Sequence, residues 1–351
     1  MFELDGDFAI EQALLAAHPG AQLFRFAIPN PGKLELAGWV AVRVGGAVPH
    51  WLVVSRGFTE LGEKVEEDPD VSGWGFELTC RLPGRSIEDH DFGWVMRWMQ
   101  GVADYLSDKV TLLEAYHHMP MWKAAREDEI AAVVFVDDIE LAPTRSQNGS
   151  FVFLQMVGVT AGEYDALVSW DARGLVELIR ERDPLFLMDV ERRSYLHDPA
   201  FARLVEEGRE RDGSSTGVLY GGSILWFEDA REIQVHLDVE AARAVRGSAK
   251  ARLAHGNPML FYGDARKTVR PDGSLVLRSQ VNIALRPEDG PSEIAEVEGR
   301  KVAVIRLNAD AVRELGEKLE DQPGTYVLRA LPRVRFVVVS AERFREPRYP
   351  W

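Results

Sequence analysis

Along VSGWGFELTCRL, residues 71–82, apolar and polar positions alternate: Phe76, Leu78, Cys80 and Leu82 fall on one side, and Glu77, Thr79 and Arg81 on the other. A period of two is that of a pleated strand, whose successive side chains point to opposite faces. The pattern predicts that Glu77 shares a polar face with Thr79 and Arg81, outside the apolar layer, as a structural hydrogen-bonding group. Trp74 and Phe76 are expected to pack, and Gly73 and Gly75 to mark a bulge or a close backbone approach. LAGWVAVRV (36–44) and PHWLVVSRG (49–57) read as further strands separated by Gly45 and Gly46, and the acidic run 60–70 as a solvated loop. The nearly continuous apolar run FVFLQMVGV (151–159) predicts a strand at the centre of a sheet, and PLFLMDV (184–190) another strand.

Helical spacing appears four times in this half. DFAIEQALLAAHPG (7–20) carries Asp7 as a candidate cap and stops at Pro19-Gly20. FGWVMRWMQGVADYL (92–106) places Val95, Trp98, Met99, Val102 and Leu106 on one stripe, and ARGLVELIRER (172–182) is a third helix. DPAFARLVEEGRER (198–211) opens with an aspartate cap and a proline at the first helical position. RDGSSTG (211–217) then has the most flexible composition in the chain. Beyond it come strand-like stretches at 218–227, 233–239, 257–263, 274–285, 300–307 and 326–339, with helical ones at 239–254 and 308–321. Helices and strands mix without a regular βαβ rhythm. The prediction is an α+β fold of two domains, 1–211 and 212–351, each with a mostly antiparallel or mixed sheet and flanking helices.

Composition narrows the chemistry. A formal net charge of −15 opposes nucleic acid and anionic lipid and favours basic partners or simple solubility. The single cysteine, Cys80, excludes an intrachain disulfide and falls on the apolar side of its strand. No apolar run reaches the roughly 18 residues of a membrane span, and the start of the chain lacks the basic segment of a secretory signal, so a cytoplasmic location is expected. There is no glycine-rich phosphate loop leading into a helix and no G-x-S-x-G elbow. Histidine chemistry is limited to Asp89-His90-Asp91, read first as a turn and helix cap, and to the adjacent pair His117-His118. A metal-dependent or small-molecule enzyme built on either neighbourhood, and a general stress-related scaffold, stand as the competing readings.

At GWGFELTCRL, with HWLVVSRGFTEL before it, the chain resembles the suppressor of fused family. The resemblance continues through FVFLQMVGVT, WDARGLVELIR and DGSSTGV, and reaches VHLDV, ARLAHG and LGEKLEDQPGTYVLRALP, from about residue 25 to 340. It implies two α+β domains and a binding protein without catalysis or cofactor, one that clasps an extended peptide between its domains as an added strand. It further implies partner contacts at Tyr105 and in the segment that follows, where Glu114, Tyr116 and His117 stand, and in the second domain around Val235, His236 and Leu237. Gly73, Trp74, Gly75, Phe76 and Glu77 form the structural signature. The acidic residue that the family carries shortly after its tyrosine has no clean equivalent, and the long insertion of animal members is missing. The short linker and acidic chain are those of a bacterial-type member, similar to immunity proteins of polymorphic toxin systems, and imply a protein partner such as a basic toxin rather than nucleic acid or membrane.

Overall fold

The computed structural model describes residues 5–27, 36–65, 68–84, 92–109, 112–121, 126–220, 223–228, 232–263, 266–269, 275–278, 281–297, 299–346 and 349. The chain divides into two compact units, one made of the residues up to Asp165 with Leu175–Ala202, the other of Ala166–Gly174 with Arg203 onward. Each mixes helices with sheet, the α+β class that the pattern predicts.

The first unit runs α1 (Gly6–Ala17), β1 (Leu23–Ala27), β2 (Gly38–Val44), β3 (His50–Arg56), β4 (Val71–Pro83), α2 (Gly93–Lys109), β5 (His118–Pro120), β6 (Ile130–Asp137), β7 (Thr144–Ser146) and β8 (Gly149–Thr160). Helices α3 (Ala161–Ser169), α4 (Ala172–Arg182) and α5 (Pro199–Asp212) follow, each assigned in part to the second unit. The sheet is ordered β1-β2-β3-β4-β8-β6-β5, with β7 also on β8. All its pairings are antiparallel except β4 with β8. Both faces are covered. On one, Phe76, Leu78, Cys80 and Leu82 join Trp51, Val53 and Phe135 beneath Val95, Trp98, Met99, Val102 and Leu106 of α2. Those five helix side chains alone represent on the order of 10 kcal/mol of gross apolar transfer. On the other face Val40, Val42, Leu52, Val54, Phe151 and Phe153 pack under Ala9, Ile10 and Leu14 of α1.

Several expectations need correction. The cap of α1 is Asp5, whose carboxylate accepts from Phe8 N at 2.7 Å, while Asp7 pairs with Arg56 instead. Residues 184–190 form no strand. Asp183 accepts from Leu185 N and Leu187 N, Phe186 takes a left-handed φ of 52°, and Gln155 Nε2 donates to Leu185 O, so the segment closes on its own turn with Phe186 and Met188 buried. The acidic run 60–70 is not all solvated. Lys64 Nζ donates to Glu60, Val71 O and Asn148 O, which anchors the loop on the turn before β8.

The second unit contains β9 (Val218–Tyr220), β10 (Ile224–Glu228), β11 (Ile233–Asp238), α6 (Val239–Ala251), β12 (Met259–Gly263), β13 (Arg266–Val269), β14 (Leu275–Arg278), β15 (Val281–Arg286), β16 (Glu293–Val297) and β17 (Arg300–Arg306). It ends with α7 (Ala309–Lys318), β18 (Gly324–Val327), β19 (Val334–Val339) and α8 (Ala341–Arg345). Two mixed sheets, β10-β11-β19-β18 and β16-β17-β15-β12-β9, share a core with α6 and α7, and β13 pairs with β14. The extended run expected over 326–339 is broken. Leu331 N bonds Leu328 O and Val334 N bonds Leu331 O, a turn that folds β18 antiparallel onto β19.

Candidate functional site

The polar side of β4 is buried, against expectation, and splits into two networks. Glu77 is 0% exposed and does not bond Arg81. Its Oε1 accepts from Gly57 N and Thr59 N, both at 3.0 Å, and from Thr59 Oγ1 at 2.7 Å, while Ser55 Oγ donates to Oε2 at 2.5 Å. Burial pushes the Glu77 carboxyl above its ordinary range, and the donors, Ser55 first, pull it back without cancelling the rise. Gly73 and Gly75, at φ 53° and 80°, sit where the β4–β8 register shifts between Val71 and Phe76. A Cβ on Gly73 would meet Phe58 O at 2.5 Å, so the backbone of residues 58–59 can lie against β4 only there. Trp74 is half-buried against the α2-side core, and Phe76 stacks on Phe58 at 4.9 Å.

Arg81 is fully buried and forks onto Asp138 at 2.8 and 2.9 Å, with Gln155 Oε1 at 2.7 Å and Glu140 at 2.9 Å. Asp138 also accepts from Thr79 Oγ1 and from the main-chain N–H of Glu140 and Leu141. Burial works to raise its carboxyl, but Arg81 and Thr79 outweigh that and hold it below its usual value. A carboxylate and guanidinium so enclosed do structural work and present nothing to a partner.

A different arrangement surrounds β5, one of the two outer strands of the sheet among the described residues. Tyr116 holds a left-handed φ of 68°, a conformation that costs a tyrosine on the order of 1–3 kcal/mol. Its N–H donates to Phe135 O at 2.6 Å, Phe135 N donates to His117 O at 2.9 Å, and Met121 N donates to Ala131 O at 2.8 Å. With residues 117 and 121 bonded inward to β6, the alternation of an antiparallel ladder turns the main chain of His118 to the outer edge. The His118 ring lies 3.3 Å from Tyr164 Oη of α3. Burial, and then His117, hold its pKa down at about 4, while burial pushes the Tyr164 hydroxyl up, with Asp165 and Tyr105 adding to the rise. Tyr105 of α2 and Leu113, Met119 and Met121 pack as half-buried groups on the same core. Glu114 is exposed and its N–H reaches His117 Nδ1 at 3.3 Å.

Four of the seven expected contact residues, Tyr105, Glu114, Tyr116 and His117, therefore belong to the α2–β5 neighbourhood of the first unit. His118 and Tyr164 join them. Sequence reasoning passed over Tyr164 because it arrives from a helix 46 residues further on. Val235, His236 and Leu237 lie in β11, inside its sheet, between β10 and β19. Val235 and Leu237 are core residues; His236 points the other way, its Nδ1 2.6 Å from Tyr349 Oη. An added strand cannot pair with β11 unless it displaces a neighbour. Asp89, His90 and Asp91 lie outside the described residues. Among the described residues there is no group of three or more His, Cys, Asp or Glu placed to hold a metal ion, and no helix long and apolar enough to cross a membrane.

The first unit is thus a mixed sheet buried on both faces, with a left-handed signature turn at β4 and a strained, aromatic approach to a short outer strand. Residues 38–193 match the family model described as suppressor of fused protein. Suppressor of fused homologs of Mus musculus and Homo sapiens are 31% and 30% identical over 181 residues, which cover 47% of this chain. The match spans 37% of the length of each of these relatives. The crystal structure of Drosophila suppressor of fused is similar in fold, with a TM-score of 0.68 at 15% identity over 96% of this chain and 97% of that one. A chain of the Sufu–Fu complex crystal structure matches 58% of this chain and 98% of its own length, with a TM-score of 0.50 at 20% identity.

Proposed function

We propose that this protein binds a polypeptide partner as an extended segment added to the outer edge of β5, and acts by sequestering it. One observation carries the reading: among the described residues β5 ends the sheet, with the His118 main chain turned outward beside the half-buried Tyr105 and Tyr116 and the exposed His117. Main-chain hydrogen bonds would supply affinity, and the aromatic flank would select side chains. Strain at Tyr116 is what a segment held ready for a partner carries. A structure of suppressor of fused in complex with Fu, similar in fold, supports a protein as the partner. The finer proposal is a partner clasped between two domains, with a cognate toxin of basic character matched by the charge of −15. No reaction enters this reading.

The test separates main chain from side chain. His118→Pro removes the outward N–H without breaking a bond to β6, whereas His118→Ala removes only the imidazole. Tagged wild type and His118→Ala, purified from the native host and analysed by mass spectrometry, are expected to carry one partner in near-equal amount, and His118→Pro to lose it. Equal recovery on His118→Pro, or no partner on wild type, would refute strand addition at β5.

A further inference from the structure

The second unit holds a cavity of about 560 Å³ between the C-terminal end of α6, one side of α7 and the turn Pro287–Asp289. That volume falls within the roughly 300–1,000 Å³ of small-molecule sites. Small residues meet where the two helices approach. A Cβ on Gly316 would lie 3.7 Å from Ala249 Cβ and 3.2 Å from Lys250 Cγ, so the lysine stem crosses a glycine. Leu253, Leu307 and Val312 are buried beside them and make the floor apolar.

The charges at the rim reduce to two. Arg313 pairs with Asp310 and Glu317, and Glu288 pairs with Arg306. The side chains of Lys250 on α6 and of Asp289 on the turn make no hydrogen bond or ion pair with a described residue. The site therefore offers one cation and one anion on separate walls, with apolar surface between. An amphipathic anion would meet Asp289, Glu288 and Glu317; a cation would meet Lys250; an uncharged apolar molecule would leave both charges unmatched. A cavity of this volume has room for more than a single amino acid, and a peptide unit sets an ammonium and a carboxylate about 3.5 Å further apart. We propose that this cavity binds an apolar dipeptide with free termini, its carboxylate at Lys250, its ammonium at Asp289 and its side chains on the Leu253–Leu307–Val312 floor.

The probes are Leu-Leu, its N-acetyl form and its C-terminal amide, titrated into the full chain and followed by amide NMR shifts and calorimetry. Leu-Leu is expected to bind saturably and to move amides of residues 249–256, 287–289 and 307–317. Blocking either terminus is expected to weaken binding about two- to fivefold, the range of exposed ion pairs. Asp289→Asn should remove the difference between Leu-Leu and its acetyl form, and Lys250→Met that between Leu-Leu and its amide. Ala254→Trp, at an exposed position on the lining, should abolish binding with no change in melting temperature. No saturable shift at millimolar Leu-Leu, equal binding of the blocked forms, or unaltered affinity in a folded Ala254→Trp would overturn the proposal.

Discussion

Replacing Glu77 tests how the signature strand is held. Four donors converge on its carboxylate, three of them on Oε1, and two are main-chain N–H groups at Gly57 and Thr59 that cannot rotate away. Glu77→Ala strands both, at about 1–3 kcal/mol each, and leaves a small void, while the hydroxyls of Ser55 and Thr59 find other acceptors. The expected loss is about 4 kcal/mol. Glu77→Gln keeps an oxygen for the three donors and sets an amide against Ser55, as a protonated carboxyl would, so at pH 4 it should cost within about 1 kcal/mol. The pH dependence has a definite sign. Burial raises the carboxyl's pKa in the folded state, so its contribution is whole below the unfolded value of 4.5 and is lost as pH rises through the higher folded value. The glutamine variant has no such loss and gains on wild type as pH rises. Urea unfolding at pH 4 to 8, read by tryptophan fluorescence, measures both, because Trp39, Trp51, Trp74, Trp94 and Trp98 report on this unit. A glutamine variant that falls further behind wild type with rising pH would show that the donors outweigh desolvation, and the reasoning would fail.

Arg81→Leu leaves Asp138 buried with no cation and is expected to cost about 3–5 kcal/mol in the same unfolding assay; a loss under 1 kcal/mol would mean the pair is dispensable. His118, held at about 4 in the folded state against 6.5 unfolded, contributes up to about 3 kcal/mol above pH 6.5 that is lost as pH falls toward 4. A His118→Phe variant should show no such slope, and a wild type equally stable at pH 6.5 and pH 4.5 would contradict the assignment. Gly208→Ala improves helix propensity in α5, yet its Cβ would fall 2.2 Å from the Trp170 ring, so thermal unfolding should show a net loss of about 1–3 kcal/mol rather than a gain.

Periodicity was enough to place the alternation of β4, the stripe of α2 and the central position of β8, because each follows from local pattern alone. It failed at 184–190, where β-forming residues are overruled by the Asp183 turn and by a left-handed Phe186. It also failed on the polar face of β4. Alternation says which residues share a face and says nothing about what covers that face; here α1, from the start of the chain, packs beside it. A polar stripe on a covered face must find partners internally, and it does so through residues 55–59 for Glu77 and 138–155 for Arg81. The placement of these partners depends on register between distant strands, Val54 with Thr79 and Thr79 with Gln155, which no single segment encodes.

The candidate site follows the same logic in reverse. Tyr105, Tyr116 and His117 could be named by position, but that β5 ends the sheet depends on the strand order β8-β6-β5, set by pairings over 40 residues of chain. A strand of three residues, His118–Pro120, has little apolar surface of its own, and its third residue brings no N–H to either side. Short length and an edge proline are devices by which sheets discourage indiscriminate pairing. An added segment at β5 therefore gains few main-chain bonds, and the aromatic flank has to contribute the rest of the affinity. That division makes the site selective: a partner lacking side chains to pack against these aromatic groups would hold too few bonds to stay. Tyr105→Ala and Tyr116→Ala should accordingly each weaken partner recovery at least as much as His118→Pro, and retention by both would leave β5 without the means to bind.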